Sequence, residues 1–393
     1  MYQVRLDLEG DIEERTFHAL RLNSPPGGWF PAIQDLFWCI TGSNLPHADL
    51  FFSPHLKKIT IDPSPSWGHS RVPLDILPVI ASTISVLPTS ALQSLRISHM
   101  MRWAELKEAL SSVVLRCGPS LTSFVSSVPM SDAAINHLLQ LPHLRTWSTR
   151  DPPPTYSVST LPPAFPPLVR FTLWDGVARG WLSLFKRLED RAPTTQGPTS
   201  LSKVRESLKY LSIENHRGTV TDISLTSIIQ GFRNLVYLHV NAYCNDTENG
   251  GKCTFKLNND NVTELAMALP RLECLCLGRP CPGNTCATTV ACLLPISVHC
   301  TKLARLEVHL NTTNIVDDLK EILEGPRFQK LRSLPRCTLP CLDVWRTPLT
   351  SDESGFGIMA NGIIDIFPSL ELCRGLDQTW SELSVRIRGC KCS

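Results

Sequence analysis

Short apolar runs alternate with polar ones along this chain, and one spacing recurs. It is an aliphatic or aromatic residue, two residues of any kind, a second apolar residue, one of any kind, and a third. The pattern is found at Phe17–Leu20–Leu22, Leu56–Ile59–Ile61, Leu92–Leu95–Ile97, Leu121–Phe124, Leu144–Trp147, Leu168–Phe171–Leu173 and Leu208–Leu211–Ile213. The fullest copies are Leu235–Leu238–Val240, Leu272–Leu275–Leu277, Leu303–Leu306–Val308 and Leu339–Leu342–Val344, with weaker starts at Ile33 and Leu370. From Leu56 to Leu370 the copies return on average every ~31 residues, with single spacings from 23 (Leu121 to Leu144) to 40 (Leu168 to Leu208).

Two apolar residues two apart share one face of a strand, and the first leucine enters the same core from the preceding turn. Between these strands the period changes to that of a helix. Leu106, Leu110, Val113 and Val114 form one face of Ala104–Cys117. Ser131–Leu141 opens with a Ser-Asp cap and Thr221–Phe232 with Thr-Asp, while Asn259–Leu269 and Asn314–Glu324 are further amphipathic stretches. Strand, turn, helix and turn in repetition predict an α/β fold. It is an irregular leucine-rich-repeat solenoid, a horseshoe with parallel strands on the concave face and helices on the convex face. The competing reading is a compact α/β domain, whose buried strands are also short apolar runs. The number of copies opposes it, as does the proline or asparagine before many first leucines, and no glycine-rich phosphate loop follows a strand. Asparagine three residues beyond the strand is clear only at Asn311, so irregular curvature is expected.

The stretches TFHALRLNSPPGGWFPAIQDLFWCIT, LFFSPHLKKITI, LPPAFPPLVRFTLWDG, GFRNLVYLHVNAYC and LPRLECLCLG resemble the F-box-associated leucine-rich-repeat proteins of mushroom-forming fungi. The resemblance runs from about Thr16 to Leu372. It implies a substrate-recognition module of a ubiquitin ligase, whose F-box docks a Skp-type adaptor and cullin. MYQVRLDLEG alternates like a strand and lacks the Leu-Pro opening of an F-box, so adaptor and cullin are expected as partners only if an F-box lies upstream. One domain is expected over 1–372, with a proline-rich connector at 151–167, a flexible loop at 191–203 and a fraying tail at 373–393.

Composition narrows the function. The chain has 393 residues, of which 55 are leucine and 31 proline, which suits short elements and many turns. Charged residues make up 19% and the net charge is only +2, too little concentrated positive charge for a nucleic-acid or membrane-surface binder. The N-terminus carries no secretory signal pattern, and the longest uncharged run, between Asp75 and Arg96, holds two prolines and several hydroxyl residues. A cytoplasmic or nuclear protein is expected, its 15 cysteines free thiols.

Candidate chemistry is sparse. Cys274, Cys276, Cys281, Cys286, Cys292 and Cys300 crowd one region at spacings x, x₄, x₄, x₅ and x₇, not as two separate C-x₂₋₄-C pairs, so no metal is assigned and buried thiols are the expectation. No histidine lies in a nucleophile-elbow or His-Glu-x-x-His context, and GFGIMANG (Gly355–Gly362) lacks the Lys-Ser/Thr of a phosphate loop and reads as a turn leading into a helix over Met359–Phe367. No catalytic residue and no cofactor is assigned. The outward positions of the strands form rows, from Lys58, Thr60 and Asp62 through Ser94, Arg96 and Ser98 to Arg305, Glu307 and His309. Aromatic residues and arginine dominate protein interfaces, so Arg96, Arg170, Trp174, Tyr210, Tyr237, His239, Arg305 and Trp345 are the expected protein-binding strip. The alternatives are a stand-alone repeat scaffold that lost its F-box and a cysteine-dependent enzyme drawn from the Cys274–Cys292 cluster.

Overall fold

The computed structural model describes residues 3–6, 14–25, 29–40, 45–63, 77–98, 104–152, 165–174, 177, 180–181, 184, 200–215, 231–242, 257–278, 287–331, 335–344, 353–375 and 378–392. Contacts divide the chain into two compact units, one built on residues 1–177 and one mainly on residues 205–393.

The first unit carries β1 (Gln3–Leu6), β2 (Asp35–Ile40), β3 (Lys58–Pro63), β4 (Ser94–Ile97), β5 (Ser123–Ser126), β6 (Thr146–Thr149) and β7 (Arg170–Trp174). Each strand pairs in parallel with the next in chain order. Parallel neighbours need a crossover, and here it is supplied by α1 (Glu14–Leu22), α2 (Leu77–Ser85), α3 (Lys107–Arg116) and α4 (Asp132–Gln140), of which α2, α3 and α4 pack in sequence. The second unit repeats the plan. Its strands are β8 (Tyr210–Asn215), β9 (Tyr237–Ala242), β10 (Cys274–Leu277), β11 (Arg305–Val308), β12 (Cys341–Asp343) and β13 (Leu372–Arg374), again parallel and in order. Its helices are α5 (Asn259–Ala268), α6 (Leu293–His299), α7 (Ile315–Glu324), α8 (Pro326–Leu331), α9 (Glu353–Ile366) and α10 (Gln378–Cys392).

The recurring apolar triplets become the core. Leu56, Ile59, Ile61, Leu92, Leu95 and Ile97 are buried in the first unit, and Leu235, Leu238, Val240, Leu272, Leu275, Leu277, Leu306 and Val308 in the second. Register is fixed one residue after the first leucine. There the backbone N–H of Gln93 donates to Lys57 O, that of Thr122 to Gln93 O, and that of Arg145 to Thr122 O, at 2.7–2.8 Å. Val236, Glu273 and Ala304 continue the same ladder in the second unit, each donating at 2.8 Å to the equivalent carbonyl one copy back. The turn before each strand therefore stacks on the previous turn, and Leu275 faces Leu306 as Leu277 faces Val308. The cap read at Ser131 is present, its Oγ accepting from Ala134 N, while Asn258 and Asn261 form a reciprocal capping box on α5 that the sequence reading did not include.

Several expectations are corrected. Phe17–Leu20–Leu22 is not a strand copy but lies in α1, with Phe17 buried and Leu22 73% exposed; the strand begins instead from the weaker start, with Ile33, Leu36 and Trp38 buried. The helix expected over Met359–Phe367 is present but starts earlier, at Glu353, so Gly355–Gly362 lies within α9 and not in a turn, and a Cβ on Gly362 would come within 3.1 Å of Leu319 Cδ2. Residues 200–203, expected in a loop, begin a helix over Ser200–Ser207. The segment 373–393, expected as a tail, carries regular structure among its described residues. Its β13 joins the sheet and α10 buries Trp380, Leu383 and Ile387, so the array is closed there by a helix. Most of the connector 151–167 and of the loop 191–203, and all of 221–230 in the expected helix Thr221–Phe232, lie outside the described residues. Among the described residues, no helix is long and apolar enough to cross a membrane.

Candidate functional site

Strand side chains that do not enter the core line the opposite sheet face, and each unit presents its own. In the first unit Arg96 is exposed and its Nε donates to Ser98 Oγ at 2.8 Å, which leaves Ser98 buried rather than outward as expected. Arg170 is exposed at the register position of Thr146. Trp174 is only half-exposed. Its Nε1 donates to Ser148 Oγ at 2.6 Å, and the Arg150 guanidinium carbon lies 5.5 Å from the ring centroid. A cation over an indole and a saturated indole N–H hold this side chain in one position.

In the second unit the parallel register stacks two rows. The first runs Tyr210, Tyr237, Cys274, Arg305, Cys341, and the second Ser212, His239, Cys276, Glu307, Asp343. Tyr210 and Tyr237 are half-exposed with ring centroids 6.1 Å apart, and the His239 ring meets Tyr237 edge-on at 6.3 Å. Burial pushes the Tyr237 phenol up to about 12, so it stays a neutral donor. Arg305 is exposed and forms an ion pair with Glu307, itself 5% exposed. Glu307, expected to face outward, is buried, and so is Asn241 on the same face of β9. Trp345 lies outside the described residues.

Ser212, His239 and Glu214 sit together, but not as a nucleophilic triad. Ser212 Oγ donates to Glu214 Oε1 at 3.4 Å and lies 3.2 Å from His239 Nδ1. A hydroxyl has one proton, so with that proton on Glu214 the imidazole donates to Ser212 through Nδ1. The carboxylate thus accepts the serine proton itself, whereas an activated serine gives its proton to the imidazole. The arrangement orders a polar surface beside the tyrosines.

The thiols are mostly inert. Burial pushes Cys117 and Cys300 up to about 12 and Cys337 to about 11. Cys274 and Cys276 differ, their sulfurs being 3.8 Å apart on the open face of β10. Among the described residues, no group of three or more His, Cys, Asp or Glu side chains could hold a metal ion. On the helical side of the second unit, α5, α6 and α7 border a cleft of about 460 Å³ lined by Thr263, His299, Asp318, Glu321 and Phe328 among others. Burial, with Glu321 and Asp317 nearby, raises the Asp318 carboxyl above its usual range. Sequence reasoning placed the rows, Ser212 among them, but missed the supporting partners Ser148 and Arg150. Their signal was present, since each lies at an alternate strand position or just beyond one.

No protein-family model matches the chain, and no curated protein sequence matches it.

Proposed function

We propose that this chain is a non-catalytic protein-binding module made of leucine-rich repeats. Its sheet face carries the recognition surface, as in the substrate-recognition arrays of F-box ubiquitin ligases that its sequence resembles. The observation that carries this reading is the half-exposed Tyr210–Tyr237 pair, flanked by His239 and by the exposed Arg305. Rigid aromatic rings with adjustable polar tips beside an arginine give much contact area at little entropic cost. Supported by parallel strands in register, the face is organised before a partner arrives, which lowers the ordering cost of binding. The partner is a protein, with no nucleic acid and no membrane involved, and the setting is cytoplasmic or nuclear.

Quantitative affinity capture with the intact chain, compared with Tyr210→Ala/Tyr237→Ala, tests the reading. Proteins retained by the native face and lost from the variant support it; an unchanged set of captured proteins overturns it. Purified Skp-type adaptor separates the two forms of the proposal. Residues Gln3–Leu6 and Glu14–Leu22 form β1 and α1 of the first unit, so the chain as given should not co-elute with the adaptor. Co-elution would identify a degenerate docking module there, whereas a stand-alone scaffold would capture partners with no adaptor among them.

A further inference from the structure

We propose that Cys274 and Cys276 form a two-thiolate chelate for a soft, thiophilic metal ion of the monovalent-copper class. The two residues alternate along β10, so both side chains leave the same face of the sheet, and their sulfurs stand 3.8 Å apart. Two metal–thiolate bonds of ~2.3 Å that meet at a near-tetrahedral angle hold their sulfurs ~3.8 Å apart. The pair therefore stands within about 1 Å of the ~4.6 Å that two such bonds in line would impose. Opening the angle toward linear asks only for small side-chain rotations.

A disulfide does not compete. Cystine needs its Cβ atoms ~3.5–4.5 Å apart, whereas two residues on one face of a strand are separated by ~6.6 Å. β10 is bonded on both sides, Cys274 to Tyr237 and Arg305 and Cys276 to His239 and Glu307 in register, so its backbone cannot shorten that distance. The thiols stay reduced and adjacent.

Their surroundings divide the labour between them. A hydrogen bond from the Cys276 thiol holds Cys274 below the usual thiol range, helped by the Arg305 guanidinium beside it, while that same bond and burial hold Cys276 well above it. Cys274 is half-exposed and would meet the ion first; Cys276 is 6% exposed and would close the chelate from below. Binding forms two metal–sulfur bonds and releases both thiol protons to solvent, leaving one net negative charge beside the Arg305–Glu307 ion pair. The ligand number selects the ion. Structural zinc takes four protein ligands, and among the described residues no third His, Cys, Asp or Glu completes such a set. A d¹⁰ monovalent ion is satisfied by two soft thiolates.

The test is anaerobic titration of the reduced, full-length chain with cuprous ion against a chromophoric cuprous chelator. The expected result is one tightly held equivalent that Cys274→Ser and Cys276→Ser each weaken at least tenfold. Cys341→Ser, the same row two strands away, should retain it. Because Cys274 is half-exposed, its variant should melt like the native chain and can carry the test alone if Cys276→Ser fails to fold. X-ray absorption of the one-to-one complex should show sulfur ligation. An equivalent undiminished in Cys274→Ser would overturn the proposal. So would a Cys274–Cys276 disulfide formed in air, or tighter retention of zinc than of cuprous ion.

Discussion

Tyr210 and Tyr237 are register partners on adjacent parallel strands, their ring centroids 6.1 Å apart and their planes tilted by 37°. Neither belongs to the core, whose nearest members are Leu211 and Leu238 on the other side of the same strands. Tyr210→Ala/Tyr237→Ala should therefore cost only about 1 kcal/mol of stability, the worth of one aromatic pair. It should remove on the order of 2 kcal/mol per ring from partner binding. Melting curves and isothermal titration with a captured partner measure the two effects separately.

Trp174 follows a different rule. An aromatic on the same sheet face is expected to be dispensable for stability, but its indole donates to Ser148 Oγ at 2.6 Å and lies under the Arg150 guanidinium. Trp174→Ala should destabilise the first unit by about 2 kcal/mol through loss of both contacts. Trp174→Phe keeps the ring under Arg150 and should cost about 1 kcal/mol. Equal melting temperatures for Trp174→Ala and native chain would show that neither contact contributes.

The fold was largely legible because Leu-x-x-Leu-x-Leu states a strand and its register together. Leu272, Leu275 and Leu277 are buried as that spacing requires. It failed where two periods coincide: Phe17 and Leu20 stand three apart, which satisfies a helix as well as the triplet, and α1 is the outcome. The helix α10 went unread because its apolar residues Trp380, Leu383 and Ile387 are sparse among polar ones, although they recur at helical spacing. Glycine suggested a turn at 355–362, but Gly362 is small for the sake of Leu319 on α7. The site was legible as rows and illegible in depth. Alternation tells which face Asn241 and Glu307 occupy, while their depth of burial is a tertiary property that no local pattern records.

Leu275 tests the core directly. It is fully buried and faces Leu238 on one side and Leu306 on the other. Leu275→Asp places a carboxylate among apolar side chains with no partner, and the expected loss exceeds ~5 kcal/mol, enough to unfold a unit of ordinary stability. Leu275→Ala should cost 2–5 kcal/mol, about the usual range for a leucine truncated in a core. Circular dichroism of both variants checks the order; a folded Leu275→Asp chain would contradict the register.

Asp151 gives the first unit a pH dependence of unusual sign. Burial pushes its carboxyl up to about 6 from 3.8, although Met130 N donates to Oδ1 at 3.0 Å and Thr149 Oγ1 to Oδ2 at 3.3 Å. Lys107 lowers it and Asp132 raises it by smaller amounts. The folded chain thus binds this proton more tightly than the unfolded one. The stability it contributes is complete below the unfolded value of 3.8 and is lost as pH rises through about 6. Asp151→Asn keeps an oxygen acceptor for Met130 and does not titrate. Its melting temperature relative to the native chain should therefore rise between pH 4 and pH 7. A constant difference across that range would show that Asp151 titrates normally.

Trp380 and Gly375 close the second unit as a matched pair. Trp380 is fully buried on α10, and a Cβ added to Gly375 would lie 2.5 Å from its Cδ1 and 2.7 Å from its Cγ. Such distances are far inside van der Waals contact, so the indole occupies the volume that any other residue at 375 would need. The helix is also tied to β13 at a second point, where Cys373 N donates to Ser384 Oγ at 2.8 Å and that hydroxyl donates to Cys373 O. The indole therefore cannot move aside without disturbing this bond. Trp380→Ala should cost about 3–5 kcal/mol by leaving a large cavity. Gly375→Ala should cost about 1–3 kcal/mol by overpacking. In the double variant the added methyl meets empty space, so the loss should fall short of the sum by at least about 1 kcal/mol, a coupling that residues in contact show and distant ones do not. Denaturant melts of the four chains measure the cycle. Strict additivity would mean that Gly375 and Trp380 do not touch, and that the final helix packs differently against β13.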